Sequence, residues 1–461
     1  MTTNNRTVAA ISTPPGKGGV ALIRVSGDDA LKIAGKVFLP ASKKEISSLP
    51  SRYAVYGDII SEGRSIDDGI MTIYRAPGSF TGEDTVEICC HGGALISAQV
   101  LGACYAAGAY PAGPGEFTRR AYLSGKLSLS KTEAIANLLD AKTQAQLSLA
   151  RGGASGRLSR EIERIYSDMK TLVSSVYVLV DYPEEDLADM SGDEMKKKLL
   201  KIEADLLKLC RGYSSAAVIN EGIDTVICGS PNTGKSSLYN ALCGCERAIV
   251  TDIEGTTRDT LFSEVALGDV LLRLCDTAGI RDSEDTVEQI GIERSKEALE
   301  RASLLFFVFD GSRELSSDDI ELIELSKAYP DKCMIALINK SDLCSVCDTD
   351  RIKEAFAHTL FISAKNGIGI DELSTLVKQL FLSDEIDIEN DAVIANARQH
   401  ACALSALEAT RSAYAALSDG MPADMAACDI ERAMGVLCEI DGQSVSEDVT
   451  NEIFSKFCVG K

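Results

Sequence analysis

Positive charge is scarce in this chain: 47 Lys and Arg face 69 Asp and Glu, for a formal net charge of -22. Phosphate contact depends on a local Lys/Arg excess, so a broad nucleic-acid-binding surface is excluded. Any RNA partner requires a local basic site or a helper protein. No apolar run reaches the length that crosses a membrane, and the start "MTTNNRTVAA" lacks the basic residues and apolar core of a signal peptide. The expected compartment is the reducing cytoplasm. The 15 cysteines are scattered through apolar runs such as "TVICGS" and "LLRLCDTAG", where the thiol acts as a small buried hydrophobe. Cys344 with Cys347, and Cys243 with Cys245, lack a second pair at a zinc-finger distance and read as ordinary thiols. Tryptophan is absent, and internal repeats and low-complexity tracts are not found. Of the 3 histidines, His91 in "CCHGG" reads as structural, and His358 and His400 have no suggestive neighbours.

What is present is ample apolar material, 45% of 461 residues, enough for two to four domains. Residues 1–125 carry short β-rich runs ("TVAAIST", "GVALIRVSG", "AVYGDII", "GIMTIYRAP", "TVEICCHGG") bounded by Gly and Pro, the texture of an α+β domain. From Ser130 a capping box, "SKTE", opens a helical region over 126–221, in which Met195, Leu199, Ile202, Leu206 and Leu209 recur at helical intervals. Residues 222–383 alternate apolar strands with polar loops and helices, which implies an α/β domain with a doubly wound, mostly parallel sheet. Residues 384–461 return to helical texture. The α/β domain is therefore expected as an insertion between two halves of a helical bundle. At the end of the chain, Ile453, Phe454 and Phe457 make an apolar stripe that favours a docked segment carrying "FCVGK".

"GSPNTGKSS" follows an apolar strand and precedes a helix, the context in which backbone N–H groups wrap phosphate oxygens. Lys235 is placed to neutralise the β and γ phosphates and Ser236 to hold Mg²⁺. Forty residues on, "DTAG" puts Asp276 at a strand end facing the same metal, with Gly279 near the γ-phosphate. Asn339, Lys340 and Asp342 of "NKSD", with the "SAK" that closes a further strand, form a base pocket in which a carboxylate accepts from both guanine donors. Adenine lacks those donors and is rejected by roughly 10⁴ or more, so the nucleotide is GTP. Between the loops, "TDIEGTTRDT" offers Thr257 as a switchable Mg²⁺ ligand. Ile280 stands where signalling GTPases carry a water-orienting Gln, so an acid among Glu284, Asp285, Glu288 and Glu293 is needed instead.

These motifs, together with "STPPGKGGVALIRVSG", "SFTGEDTVEICCHGG", "GPGEFTRRAYLSGKL" and "FCVGK", make the chain resemble the tRNA uridine-modification GTPases known as the MnmE or TrmE family over nearly its whole length. Departures are small: Val459 replaces the more usual Ile, "GKGG" the more usual "GRGG", and "EIDGQ" stands for "EITGE". The resemblance implies an N-terminal folate-binding, homodimer-forming domain, a split helical domain and an inserted potassium-stimulated GTPase domain. By match, Asn232, Thr251, Ile253 and Thr256 hold K⁺, and Glu288 orients the attacking water. The nucleotide contacts extend over Asn232, Thr233, Gly234, Lys235, Ser236 and Ser237; Thr251, Asp252, Ile253, Glu254, Gly255, Thr256 and Thr257; Asp276, Thr277, Ala278 and Gly279; Asn339, Lys340, Ser341 and Asp342; and Ser363, Ala364 and Lys365. Arg24, Glu87, Lys126 and Lys461 are the matching positions for a reduced folate of the 5-formyl- or methylene-tetrahydrofolate type. Lys461 carries the last carboxylate of the sequence, so trimming or extending it is expected to disturb that site.

Cys458 is a candidate nucleophile toward the uridine, with a buried packing thiol as the alternative. The implied activity is GTP hydrolysis coupled, with an FAD-dependent MnmG-family partner, to aminomethyl or carboxymethylaminomethyl addition at C5 of the wobble uridine of certain tRNAs. A GTP switch in ribosome assembly and a stand-alone one-carbon transferase are the rivals. The first leaves "FCVGK" unused, and the second predicts turnover without the flavoprotein.

Overall fold

A computed structural model describes residues 6–181, 192–244, 262–275, 298–382, 387–388, 390–443 and 445–461. The chain divides into two compact units, Met1–Ala136 with Met434–Lys461, and Asn137–Ala433.

The first unit is built on a seven-stranded sheet of order β3-β4-β5-β6-β2-β1-β7. Its strands are β1 (Val8–Ile11), β2 (Val20–Ser26), β3 (Phe38–Pro40), β4 (Tyr53–Ser61), β5 (Arg64–Tyr74), β6 (Thr85–His91) and β7 (Tyr110–Pro111). All neighbours are antiparallel except β1 and β7. Side chains alternate across a strand, so Ile23 and Val25 of β2 enter a core shared with Ile33, Val37 and Val100 from helices Ala30–Val37 and Ala94–Ala106. The same alternation puts Arg24 on the opposite face, directly across from Glu87 of β6. The short strands β3 and β7 carry too few residues to show a period in the sequence.

The helix after Gly125 spans Leu129–Asp140, which moves its start ahead of the expected capping box. Ser128 takes the capping place, accepting from the Lys131 N–H at 3.3 Å, because the Ser130 hydroxyl is engaged by Asp441 instead.

In the second unit the six-stranded order is β13-β12-β11-β8-β10-β9. The strands are β8 (Ile223–Gly229), β9 (Phe262–Leu267), β10 (Val270–Cys275), β11 (Leu304–Asp310), β12 (Cys333–Asn339) and β13 (His358–Phe361). Only the β9–β10 edge pair is antiparallel. The sequence "LLFFVFD" of β11 is buried throughout. Its alternation sends Phe306 and Val308 into one core and Phe307 and Phe309 into another, as a doubly wound sheet covered on both faces requires. β9 was not anticipated; its antiparallel pairing through the Gly268 turn makes it the exception to the parallel pattern. In the helical part, Met195, Leu199, Ile202, Leu206 and Leu209 all lie buried along helix Gly192–Arg211. Arg411 of helix Ala397–Ser418 binds Glu203 of that helix at 2.7 Å. Among the described residues no helix is long and apolar enough to cross a membrane.

Candidate functional site

In the second unit, β8 ends at Gly229 and a helix runs from Lys235 to Gly244, so the loop between them is at a strand's C-terminal edge and a helix N-terminus. Two residues of that loop, Asn232 (φ 62°) and Gly234 (φ 98°), are left-handed. At Gly234 a Cβ would also be driven into the Asn339 amide, so glycine is needed for both conformation and space. Thr233 is fully buried and donates to the Ser230 carbonyl at 2.9 Å. The Lys235 ammonium reaches back along the loop to the carbonyls of Gly229 (2.7 Å) and Ser230 (2.9 Å). Ser236 and Ser237 sit in the helix's first turn, whose N–H groups have no partner within the helix. Burial pushes the Cys228 thiol beneath the loop up to about 12, so it serves as packing.

Two further loops meet this one. Asn339 ends β12, is 3% exposed, and uses both ends of its amide: Nδ2 donates to the Thr233 carbonyl at 2.8 Å and Oδ1 accepts from the Ala364 N–H at 3.0 Å. It braces all three loops together. Lys340 (φ 64°) is paired at 2.6 Å with Asp310, which ends β11. Ser341 donates its N–H to Ile362 at 3.0 Å. The Ser363 hydroxyl donates to Asp342 at 2.6 Å and is the main cause that lowers the Asp342 carboxyl below the usual range. Lys365 is exposed at the rim. The structure thus brings Asn232–Ser237, Asn339–Asp342 and Ser363–Lys365 to one edge of the sheet. Thr251 to Thr257, Asp276 to Gly279 and Glu288, with Glu284, Asp285 and Glu293, lie outside the described residues; β10 ends at Cys275, one residue before Asp276. Asp310 was missed in the sequence, although a carboxylate closing an otherwise apolar strand was its signal.

In the first unit the final residues are docked. Val459 bridges Pro114, Gly115 donates its N–H to the Cys458 carbonyl at 3.3 Å, and Phe117 donates to the Lys461 carbonyl oxygen at 3.0 Å. Ser12 donates to the Gly460 carbonyl at 2.8 Å, and Gly460 (φ 99°) lies so close to Ile11 that a Cβ would be driven into its carbonyl. Phe454 and Phe457 are buried as expected, but helix Glu447–Ser455 stops before Phe457, which packs from the following turn. The Arg24 guanidinium pairs with Glu87 at 2.8 Å and lies over the Phe80 and Phe117 rings at 5.7 and 5.4 Å. Phe117 therefore touches both Arg24 and the docked end. The Lys126 ammonium is bonded to the carbonyls of Pro77 (2.8 Å) and Ser79, beside Phe80. Burial first, and then the Glu87 charge, raise the Tyr74 phenol. Cys458 itself is exposed, so the packing alternative for its side chain does not hold.

Sequence reasoning also missed Arg120, whose buried guanidinium grips Glu83 (2.8 Å), Glu116 (3.0 Å) and the carbonyls of Ser26 and Arg6. Its signal was the adjacent pair of arginines in "TRRAY". A cavity of about 670 Å³ is walled by the Thr13–Gly18 loop, Tyr105 and Val459. Arg24, Glu87, Lys126 and Lys461 lie outside that lining. His91 is paired with Asp67 at 2.8 Å, and the two present ligand atoms within 4.8 Å of Asp68.

Two family models match the chain: "GTP-binding protein TrmE N-terminus" over residues 7–126 and "MnmE helical domain" over residues 129–458. The chain is 39% identical over 459 residues to a protein of Acetivibrio thermocellus named "tRNA modification GTPase MnmE", covering 99% of each. It is 40% identical over 460 residues to the protein of the same name in Geobacillus kaustophilus, and 38% identical over 457 residues to that of Clostridioides difficile, again covering 99% of each chain.

Proposed function

Because this chain belongs to the MnmE (TrmE) family, we propose that it is a tRNA modification GTPase that acts on C5 of the wobble uridine, using a folate-borne one-carbon unit and an FAD-dependent partner of the MnmG family. In this reading residues 1–125 form the folate-binding, homodimer-forming domain, 126–221 and 384–461 the helical domain, and 222–383 the GTPase, working in the cytoplasm. The observation that carries the GTPase assignment is the Asn339 brace, which assembles a GxxxxGKS loop, an NKSD loop and an SAK loop at one sheet edge.

The loop amides and the helix N-terminus at Lys235 receive the phosphates, and the Lys235 ammonium leaves the Gly229 and Ser230 carbonyls for the β and γ oxygens. Asp342 accepts from the two guanine donors while Ser363 holds its carboxylate ionised. Ser236 and Thr257 are the residues that would hold Mg²⁺, and Asn232, Thr251, Ile253 and Thr256 those that would hold K⁺; Ser236 in the helix's first turn and the outward left-handed turn at Asn232 fit such oxygen-donor roles. The bound cations supply positive charge where the transferring phosphoryl group becomes more negative. Glu288 orients the water.

In the first unit, Glu87 would pair with the donor edge of a pterin ring, Arg24, bonded to Glu87 at 2.8 Å and lying over the Phe80 and Phe117 rings, would steady that carboxylate, and Lys126 and Lys461 would meet glutamyl carboxylates. The folate supplies the carbon and the flavoprotein the redox step. Cys458, exposed beside Lys461, is the nucleophile candidate.

The testing experiment is mass spectrometry of tRNA nucleosides from cells lacking the protein, complemented with the full chain or with a version ending at Val459. Loss of the C5-substituted wobble uridine, restored only by the full chain, supports the reading. An unchanged nucleoside profile reduces the protein to a GTP switch.

A further inference from the structure

Behind the phosphate loop lies a charged network that the proposed reaction does not use. Asp319 is 1% exposed, on the first turn of helix Ser317–Ser326, and it does more than cap that helix. One carboxylate oxygen accepts from the hydroxyl of Ser230, the second residue of the GxxxxGKS loop. The other accepts from the N–H and hydroxyl of Ser316 at 2.9 and 2.8 Å and from Arg313 at 2.9 Å. Arg313 also donates to the Ser230 hydroxyl at 3.0 Å, and its Nε lies 3.8 Å from Asp310. Asp310, 6% exposed, is held by Ser312 and pairs with Lys340 of the NKSD loop.

We propose that Arg313 and Asp319 are positioning residues that hold Ser230, and through Asp310 hold Lys340, so that the phosphate loop and the guanine-reading loop stay in register as one preformed site. The physical reason is that a buried carboxylate persists only when its acceptor sites are filled. Asp319 has hydrogen bonds from three residues, and two of those, Ser230 and Arg313, are themselves joined. Moving the phosphate loop would strip a donor from a buried charge. The network therefore resists loop motion more strongly than the neutral Asn339 brace alone. Arg313, whose side chain is 35% exposed where that of Asp319 is 2%, is the practical point of entry for mutation.

The inference rests on the GTP reading above, and its test separates the two. Full-length protein is titrated with a fluorescent GDP: wild type, Ser230→Ala, Arg313→Met, Arg313→Lys, Asp319→Asn, and the Ser230→Ala/Arg313→Met double variant. Failure of the folded wild type to bind GDP overturns both the GTP reading and this inference. If wild type binds, Ser230→Ala and Arg313→Met are each expected to weaken GDP about tenfold and the double variant little more than either single one, because both break the same link. Arg313→Lys, which keeps the charge, is expected to recover most of the loss, whereas a role confined to packing would not respond to charge. Asp319→Asn is expected to weaken GDP at least as much; if it does not fold, the Ser230 and Arg313 variants still decide. Affinities within twofold of wild type in both single variants overturn the proposal while leaving the GTP reading intact, as do single effects that multiply in the double variant.

Discussion

Lys235 is held by carbonyls five and six positions before it, whereas the docked motif at the end of the chain is held by Ser12, 448 positions from Gly460. The phosphate loop takes its turn from its own sequence, a strand end, two left-handed residues and a helix start within a dozen positions, and Asn339 and Asp319 then brace it from 106 and 89 positions away. The terminal motif has one left-handed residue, Gly460, and one internal hydrogen bond, from the Lys461 N–H to the Cys458 carbonyl at 3.4 Å. The rest of its conformation comes from the Ser12 hydroxyl just past β1 and from the backbone of the Pro114–Phe117 turn, which supply partners along its length. A site built locally is expected to fail through its chemistry when mutated, and a site built from distant segments through its docking.

The largest effect expected is on the local side. Asp342→Asn replaces an acceptor by a donor, which suits xanthine rather than guanine, and should move the preference for GTP over XTP by roughly 10⁴. Displacement of fluorescent GDP by each nucleotide reads this, and a retained GTP preference would remove Asp342 from the base pocket. Next, GTP hydrolysis at equal ionic strength is expected to be about 10²-fold faster in KCl than in NaCl, the scale of one well-placed transition-state charge. Equal rates would eliminate the cation role of Asn232.

On the distant side, Gly460→Ala forces a left-handed alanine against the Ile11 carbonyl, at a cost of about 1–3 kcal/mol. The expected result is loss of wobble-uridine modification with GDP affinity retained; modification at the wild-type level would show that docking of the terminal motif is dispensable. The smallest effect concerns His91, whose hydrogen bond to Asp67 raises its imidazole above the ordinary value. A raised imidazole stabilises the fold fully below about pH 6.5 and loses that contribution as pH climbs through the raised value. An NMR titration should return His91 toward about 6.5 in Asp67→Asn, and an unchanged midpoint would mean that Asp67 is not the cause.

The described GTP motifs, "GSPNTGKSS", "NKSD" and "SAK", were legible because each is a contiguous string at or just after a strand's end, and so were the two sheets, whose longer apolar runs show their period. β3 and β7 were not, since strands of three and two residues carry no period. Ser130 misled for a related reason: several serines near a helix start offer equivalent caps, and a tertiary partner, Asp441, decided among them.

The sequence by itself determined the nucleotide class, the order of the loops that read it, and an apolar chain end that seeks burial, because these depend on residue type and short spacing. Only the tertiary structure decided that Asn339 braces three loops, that Asp319 stands beneath Ser230, that Arg24 shares Phe117 with the docked end, and that Cys458 faces outward. Those facts depend on which distant groups lie within reach of one another, and contacts such as Ser230–Asp319 and Thr233–Asn339, 89 and 106 positions apart, leave no local trace in the chain.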